Sequence, residues 1–171
     1  MNSFETVYDF SSGDGFSRFA VLLFPIGFFL FSKLRITPKI EEKETEDFFL
    51  NNLESQKNIA FIIKYFSLIL FVMLLILFSI KYCKTYFLYK DSKIITQGFV
   101  NNFHPMPSGG HDSERFTVNG VEFKFSDFDI SDFGYNNAKS HGGAIDENKY
   151  VRISYVKVKG SNQILKLEVR K

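Results

Sequence analysis

Asn58–Ile80 reads NIAFIIKYFSLILFVMLLILFSI, and between Tyr65 and Ile80 its only polar groups are the hydroxyls of Tyr65, Ser67 and Ser79. Lys64 and Lys81 bracket that inner stretch. As a helix rising ~1.5 Å per residue, the run extends about 34 Å, enough to cross a hydrocarbon core of ~30 Å. A helix that is apolar on every side needs a large domain around it to stay in water, and 171 residues cannot supply one. Residues 58–81 are therefore expected to form a transmembrane helix.

Working outward towards the N-terminus, Phe19–Phe31 (FAVLLFPIGFFLF) is a second apolar run, extended to 17–34 if Arg18 and Lys33 reach the interface. Pro25 and Gly27 sit in its middle, where lipid-embedded helices tolerate a kink. A secretory signal peptide would carry a basic leading segment and a small-residue cleavage site. Residues 1–17 instead hold Glu5, Asp9 and Asp14 with no Lys or Arg, so the run reads as a retained first span. The preceding residues 1–16 read as a tail that can lie on the membrane surface through Phe4, Val7, Tyr8 and Phe10.

Residues 35–57 form a charged connector. Thr37-Pro38 is a helix-start signal, Glu41, Glu42, Glu44, Glu46 and Asp47 read as a solvated face, and Phe48, Phe49, Leu50 and Leu53 form an apolar face suited to headgroups. Lys and Arg counted over the flanks tie between the two orientations: Lys33, Arg35, Lys39, Lys43 and Lys57 in the loop are balanced by Arg18, Lys81, Lys84, Lys90 and Lys93 outside it. The side on which the C-terminal region lies stays open. The chain has 21 basic and 19 acidic residues, a net charge of +2 that excludes a global field aimed at nucleic acid. One cysteine, Cys83, excludes an intrachain disulfide and a cysteine-rich zinc site, and reads as an inert interfacial thiol.

After a linker over 82–92 the pattern changes to strands, and 93–171 reads as a soluble β-domain. Ile94–Val100 is a first strand ending near Phe103. Phe116-Thr117-Val118-Asn119-Gly120-Val121-Glu122-Phe123 is a hairpin, because Asn-Gly supplies the positive φ angles of a type I′ turn and sets Val118 opposite Val121 and Phe116 opposite Phe123. Tyr150–Val156 alternates with Val151, Ile153 and Tyr155 on one side, and Leu165, Leu167 and Val169 alternate beyond the Gly160-Ser161-Asn162 turn. Five strands with a long third connection, Ser126–Asn148, predict an OB-like small β-barrel, with a β-sandwich fragment as the alternative. The fold class expected is thus membrane α plus all-β. A domain of this size is marginally stable alone, which favours self-association or support from the membrane.

All three histidines fall in two loops, 103–112 and 133–143. His104, His111 and His141 with Asp112 would make a zinc inventory, but their spacing matches no ligand pattern. A ligand reading uses Gly109-Gly110 and Gly142-Gly143 as anion-accepting backbone, His104, His111, Arg115, Lys139, Arg152 and His141 as charge, and Tyr135, Phe133 or Phe128 as a stacking surface. No GxSxG, P-loop or dinucleotide fingerprint is present. The aspartates of Ser126–Asp132 alternate with apolar residues and lack the glycine and distal glutamate of a calcium loop. No catalytic constellation, cofactor site or resident metal is therefore expected.

Several segments carry a resemblance: GFVNNFHPMP (98–107), FTVNGVEFKFSD (116–127), GYNN (134–137), SHGG (140–143), YVRISY (150–155) and ILKLEV (164–169). Over about 93–170 the chain resembles an uncharacterised family of bacterial two-span membrane proteins with a C-terminal small β-domain. The resemblance implies that architecture, and multi-pass residence in the bacterial inner membrane, but no activity. The layout alone is also similar to two-span defence effectors that sense a cyclic nucleotide. The function expected is a non-enzymatic, membrane-anchored β-domain that binds a partner protein or small ligand. The alternative is an effector that oligomerises or permeabilises the membrane on sensing a nucleotide-like ligand. Expected partners are the lipid bilayer, a second copy of the chain, and a protein or small molecule, with no nucleic acid polymer.

Overall fold

The computed structural model describes residues 3–31, 46–129 and 133–171, with side chains described for all of these except 46–57. The readings of Thr37-Pro38, of the acidic run and of the 48–53 apolar face lie outside the described residues or side chains. The chain divides into two compact units, Phe19–Ser79 and Met1–Arg18 with Ile80–Lys171.

In the helical unit, a 3-10 stretch, Asp14–Leu22, passes into α1 (Leu23–Phe31). The change of helix type has a cause in Pro25, whose ring would clash with the carbonyl four residues back in a continuous α-helix. The long helix α2 runs from Glu46 to Ser92 and contributes to both units. Two helices, Asp14–Phe31 and Asn58–Ser92, are long and apolar enough to cross a membrane, and only 6% of the most apolar window of the second is buried in the protein. Ser67 satisfies its hydroxyl within the helix by donating to the Lys64 carbonyl at 2.9 Å. Phe19 and Phe78 meet edge to face at 5.9 Å. Residues 82–92, expected to be a linker, continue α2.

The second unit holds a six-stranded, wholly antiparallel sheet: β1 (Phe4–Asp9), β2 (Ile94–His104), β3 (Glu114–Val118), β4 (Val121–Phe125), β5 (Tyr150–Val158) and β6 (Ser161–Arg170), in the order β1-β6-β5-β2-β3-β4. The hairpin forms as expected. Asn119 and Gly120 have φ of 49° and 76°, and Val118 faces Val121 while Phe116 faces Phe123. Their rings stack at 5.3 Å, and the core gathers Val100, Phe116, Val118, Phe123, Ile145, Val151, Ile153, Ile164 and Leu167 on one side of the sheet.

Two expectations are corrected. Phe4–Asp9, read as part of a surface tail, is an edge strand along β6, with Phe4 opposite Arg170 and Asp9 opposite Lys166. The register shifts between Thr6 and Tyr8, so the extra residue Val7 breaks the period-two pattern that would have announced a strand. Tyr8 then packs against the core, and its hydroxyl donates to the Phe133 carbonyl.

The sheet is also open, where a closed five-stranded OB-like barrel was expected. Closure would require β4 to ladder onto the outer edge of β6. That edge is already taken by β1 over its C-terminal half and, at Ile164, by the backbone N–H of Tyr135 at 2.8 Å. β4 and β6 lie close but form no ladder, and the Asn162 amide donates to the Glu122 carbonyl at 2.7 Å. A second bulge, between Ser154 and Tyr155, leaves Leu165 without a partner in the register. Ile164 and Leu167 therefore face the core, and Leu165 is buried outside that cluster. Phe10, wholly buried, packs with Tyr82 of α2 at 5.0 Å, and Tyr82 packs edge-on to Phe133 at 5.4 Å.

Candidate functional site

The loops that follow β2 and β4 gather most of the polar chemistry singled out in the sequence. β2 ends at His104, whose Nε2 lies 2.8 Å from Asp112 Oδ2. Arg115, near the start of β3, reaches the same oxygen at 3.3 Å, so a single exposed carboxylate stands between an imidazole and a guanidinium. The Ser113 backbone N–H on Oδ1 and the His104 ring hold the Asp112 carboxyl below its ordinary range.

Between them the 107–110 turn closes with the Gly110 N–H on the Pro107 carbonyl at 3.0 Å. Gly110 has φ of 77°, and a Cβ there would fall 2.9 Å from the Phe128 ring, so the absent side chain is what seats that ring. Phe128 remains 62% exposed and meets His141 edge-on at 6.3 Å. An open hollow of about 380 Å³ lies between the 109–113 turn, Ser126 and Phe128.

Beneath this surface lies Glu114, 0% exposed. Its Oε2 accepts the Lys139 backbone N–H at 2.7 Å and it also accepts the N–H of Met106, so one carboxyl fastens the β2–β3 loop to the 3-10 turn Lys139–His141. Its other oxygen has no hydrogen-bond partner among the described residues, and neither does the buried Oδ1 of Asp127. Burial raises the Glu114 carboxyl above its ordinary range, and the neighbouring Asp127 adds to the shift. Asp127 Oδ2 pairs with His141 Nδ1 at 2.5 Å.

The residues singled out in the sequence separate into two groups. His104, Gly109, Gly110, His111 and Arg115 come together at the first loop, and His141 joins them through Phe128. Lys139, Gly142 and Gly143 instead build the second loop. The Gly142 N–H donates to the Lys139 carbonyl at 3.1 Å and that of Gly143 to the Ala138 carbonyl at 2.8 Å, while Lys139 Nζ pairs with Asp146 at 2.5 Å. A Cβ on Gly143 would lie 2.1 Å from the Asn137 carbonyl oxygen. The N–H groups of Gly110, Gly142 and Gly143 are thus spent inside their own turns, and the anion-accepting reading of these glycines is not realised.

Tyr135, read as a stacking surface, is 5% exposed in the core. Its hydroxyl accepts the Ala144 N–H at 2.9 Å, and burial pushes it up to about 12. Among the described residues no group of three or more His, Cys, Asp or Glu side chains is placed to hold a metal ion. Glu114 escaped notice in the sequence, although its signal was there: in strand alternation it shares a face with Phe116 and Val118, which puts a carboxyl on the core side. No known protein family, curated protein or solved structure matches the chain.

Proposed function

We propose that the chain is a two-span protein of the bacterial inner membrane whose β-domain is a non-enzymatic binding module for a partner protein or small ligand. The resemblance of residues 93–170 to two-span membrane proteins supports the setting, as does the low burial of the apolar helices. The observation that carries the binding role is Phe128: a largely exposed aromatic ring, seated against Gly110 and His141, at the rim of an open hollow whose other wall carries His111 and Asp112. Ordered, exposed aromatic groups beside a few fixed polar groups are how binding sites provide contact area at low entropic cost. The His–Asp pairs orient rings and donors around the hollow, and the Ser126 hydroxyl beside it donates to the Met106 sulfur at 3.4 Å instead of facing a base.

The test is photo-cross-linking in native membranes with Phe128→p-benzoylphenylalanine, using Lys157→p-benzoylphenylalanine on β5 as control. A discrete adduct at 128 that is missing at 157 is expected. Equal labelling at the two positions, or none at 128, would refute the reading.

A further inference from the structure

On the face of the sheet opposite the core, β5 and β6 each carry an arginine, in contrasting circumstances. Arg152 on β5 lies over the Phe4 ring at 4.4 Å and is neutralised by Glu168 on β6, with Nε–Oε2 at 2.6 Å and Nη2–Oε1 at 3.0 Å. Arg170 on β6 lies over the Tyr150 ring at 4.3 Å and the Phe99 ring at 5.6 Å, yet has no carboxylate within ion-pair distance among the described residues. Contact with two rings holds the guanidinium in place, and its N–H groups have no carboxylate partner among the described residues.

Its surroundings repeat the pattern. Lys149 donates its ammonium to the Ala144 carbonyl at 2.9 Å, not to a carboxylate, and Lys171 is paired loosely with Glu5 at 3.4 Å while both stay mostly exposed. Phe99 is 50% exposed, held edge-on by Tyr150 at 5.1 Å. These groups line a hollow of about 470 Å³.

We propose that this hollow, lined by Phe99, Lys149, Tyr150, Arg170 and Lys171 and containing one carboxylate, Glu5, which Lys171 pairs, is a binding site for a nucleoside phosphate. Phosphate oxygens satisfy the guanidinium fork, Lys149 and Lys171 add positive charge beside it, and the planar base covers the exposed part of Phe99. The two halves of such a ligand answer the two features the protein leaves open, an uncompensated fixed cation and an exposed aromatic face. A bare polyphosphate answers only the first, and a nucleoside only the second. Its Phe99, Tyr150 and Arg170 alternate with the core-facing Val100, Val151 and Val169, and the site uses none of the residues around Phe128.

The test is calorimetric titration of the full chain in detergent micelles with ATP, tripolyphosphate and adenosine. Saturable binding of ATP at least about tenfold tighter than either of the others is expected. Arg170→Gln should weaken ATP about tenfold or more, and Phe99→Leu should weaken ATP while leaving tripolyphosphate unchanged. Lys157→Gln, which removes a charge elsewhere on β5, should bind as the parent does. Circular dichroism identical to the parent's is required of each variant, and Phe99→Leu serves if Arg170→Gln fails to fold. The proposal is overturned if ATP does not saturate, if tripolyphosphate or adenosine binds as tightly as ATP, or if the folded variants bind ATP like the parent.

Discussion

Among the described residues, the phenylalanines of this chain meet contrasting environments. In the sheet unit Phe116, Phe123 and Phe133 are at most 1% exposed, enclosed by strands and by each other. In the helical unit Phe24, Phe61 and Phe66 are between 61% and 73% exposed. The same side chain is a core residue inside the sheet unit, where protein removes it from water, and an outward residue along the apolar helices. An outward row of Phe, Ile and Leu is stable only where the surroundings are themselves apolar. The contrast teaches that hydrophobicity alone does not mark a core; the pattern along the chain decides which solvent it answers.

Paired truncations sharpen that contrast. Phe123→Ala removes a fully buried ring and is expected to cost about 3–5 kcal/mol in equilibrium unfolding of the micelle-bound chain, whereas Phe66→Ala should change sheet unfolding by less than about 0.5 kcal/mol. Equal costs would break the comparison. A charge placed on the outward face is the next largest effect. Ile69→Arg, at a position 67% exposed, should disfavour insertion by about 2.5–3.5 kcal/mol, read as loss of the chain from the carbonate-resistant membrane fraction. Unchanged membrane retention would show that the outward row does not face lipid.

Within the sheet unit, Glu114→Ala should cost about 1–3 kcal/mol, because the N–H groups of Met106 and Lys139 lose their shared buried acceptor. Glu114→Gln keeps an acceptor and discards the charge. The folded carboxyl titrates above its ordinary value of 4.5, so its native penalty is absent below 4.5 and grows as pH rises through the raised value. Glu114→Gln should therefore flatten the fall in stability across that window, measured as unfolding midpoints against pH.

Glu168 has the opposite sign. Its hydrogen bonds from Arg152 lower its carboxyl below 4.5, so the stabilisation is present above 4.5 and is lost as pH falls through the lowered value. Glu168→Gln is the smallest expected effect, about 0.5–1 kcal/mol at neutral pH, and should vanish in acid.

Much of this was legible because it is local. The Asn119-Gly120 turn carries its own positive φ angles and sets the register of β3 against β4 without help from distant residues. The loops bearing His104, His111 and His141 were recognisable from their glycines and prolines, and the first of them does border the exposed hollow. What misled was also physical. Gly142-Gly143 signals a tight turn, and the same tightness that demands glycine consumes the N–H groups a ligand would need. The strand at Phe4–Asp9 stayed hidden because the bulge at Val7 interrupts its alternation, and Leu165 was placed on the wrong face for the same reason. Glu114 was readable from strand alternation alone, but its two backbone partners were not.

Taken alone, the order of residues determined the apolar helices, the central hairpin and the alternation of β5, since each depends on contacts or solvent preferences within a few turns of chain. Tertiary structure decided that Phe4–Asp9 occupies the edge of β6 and keeps the sheet open. It also set Glu114 under the loops and laid Arg170 over the Phe99 and Tyr150 rings with no ion-pair partner among the described residues. These arrangements join residues far apart in sequence, and which of them meet depends on the closing of the whole sheet, a cooperative event that no local pattern encodes.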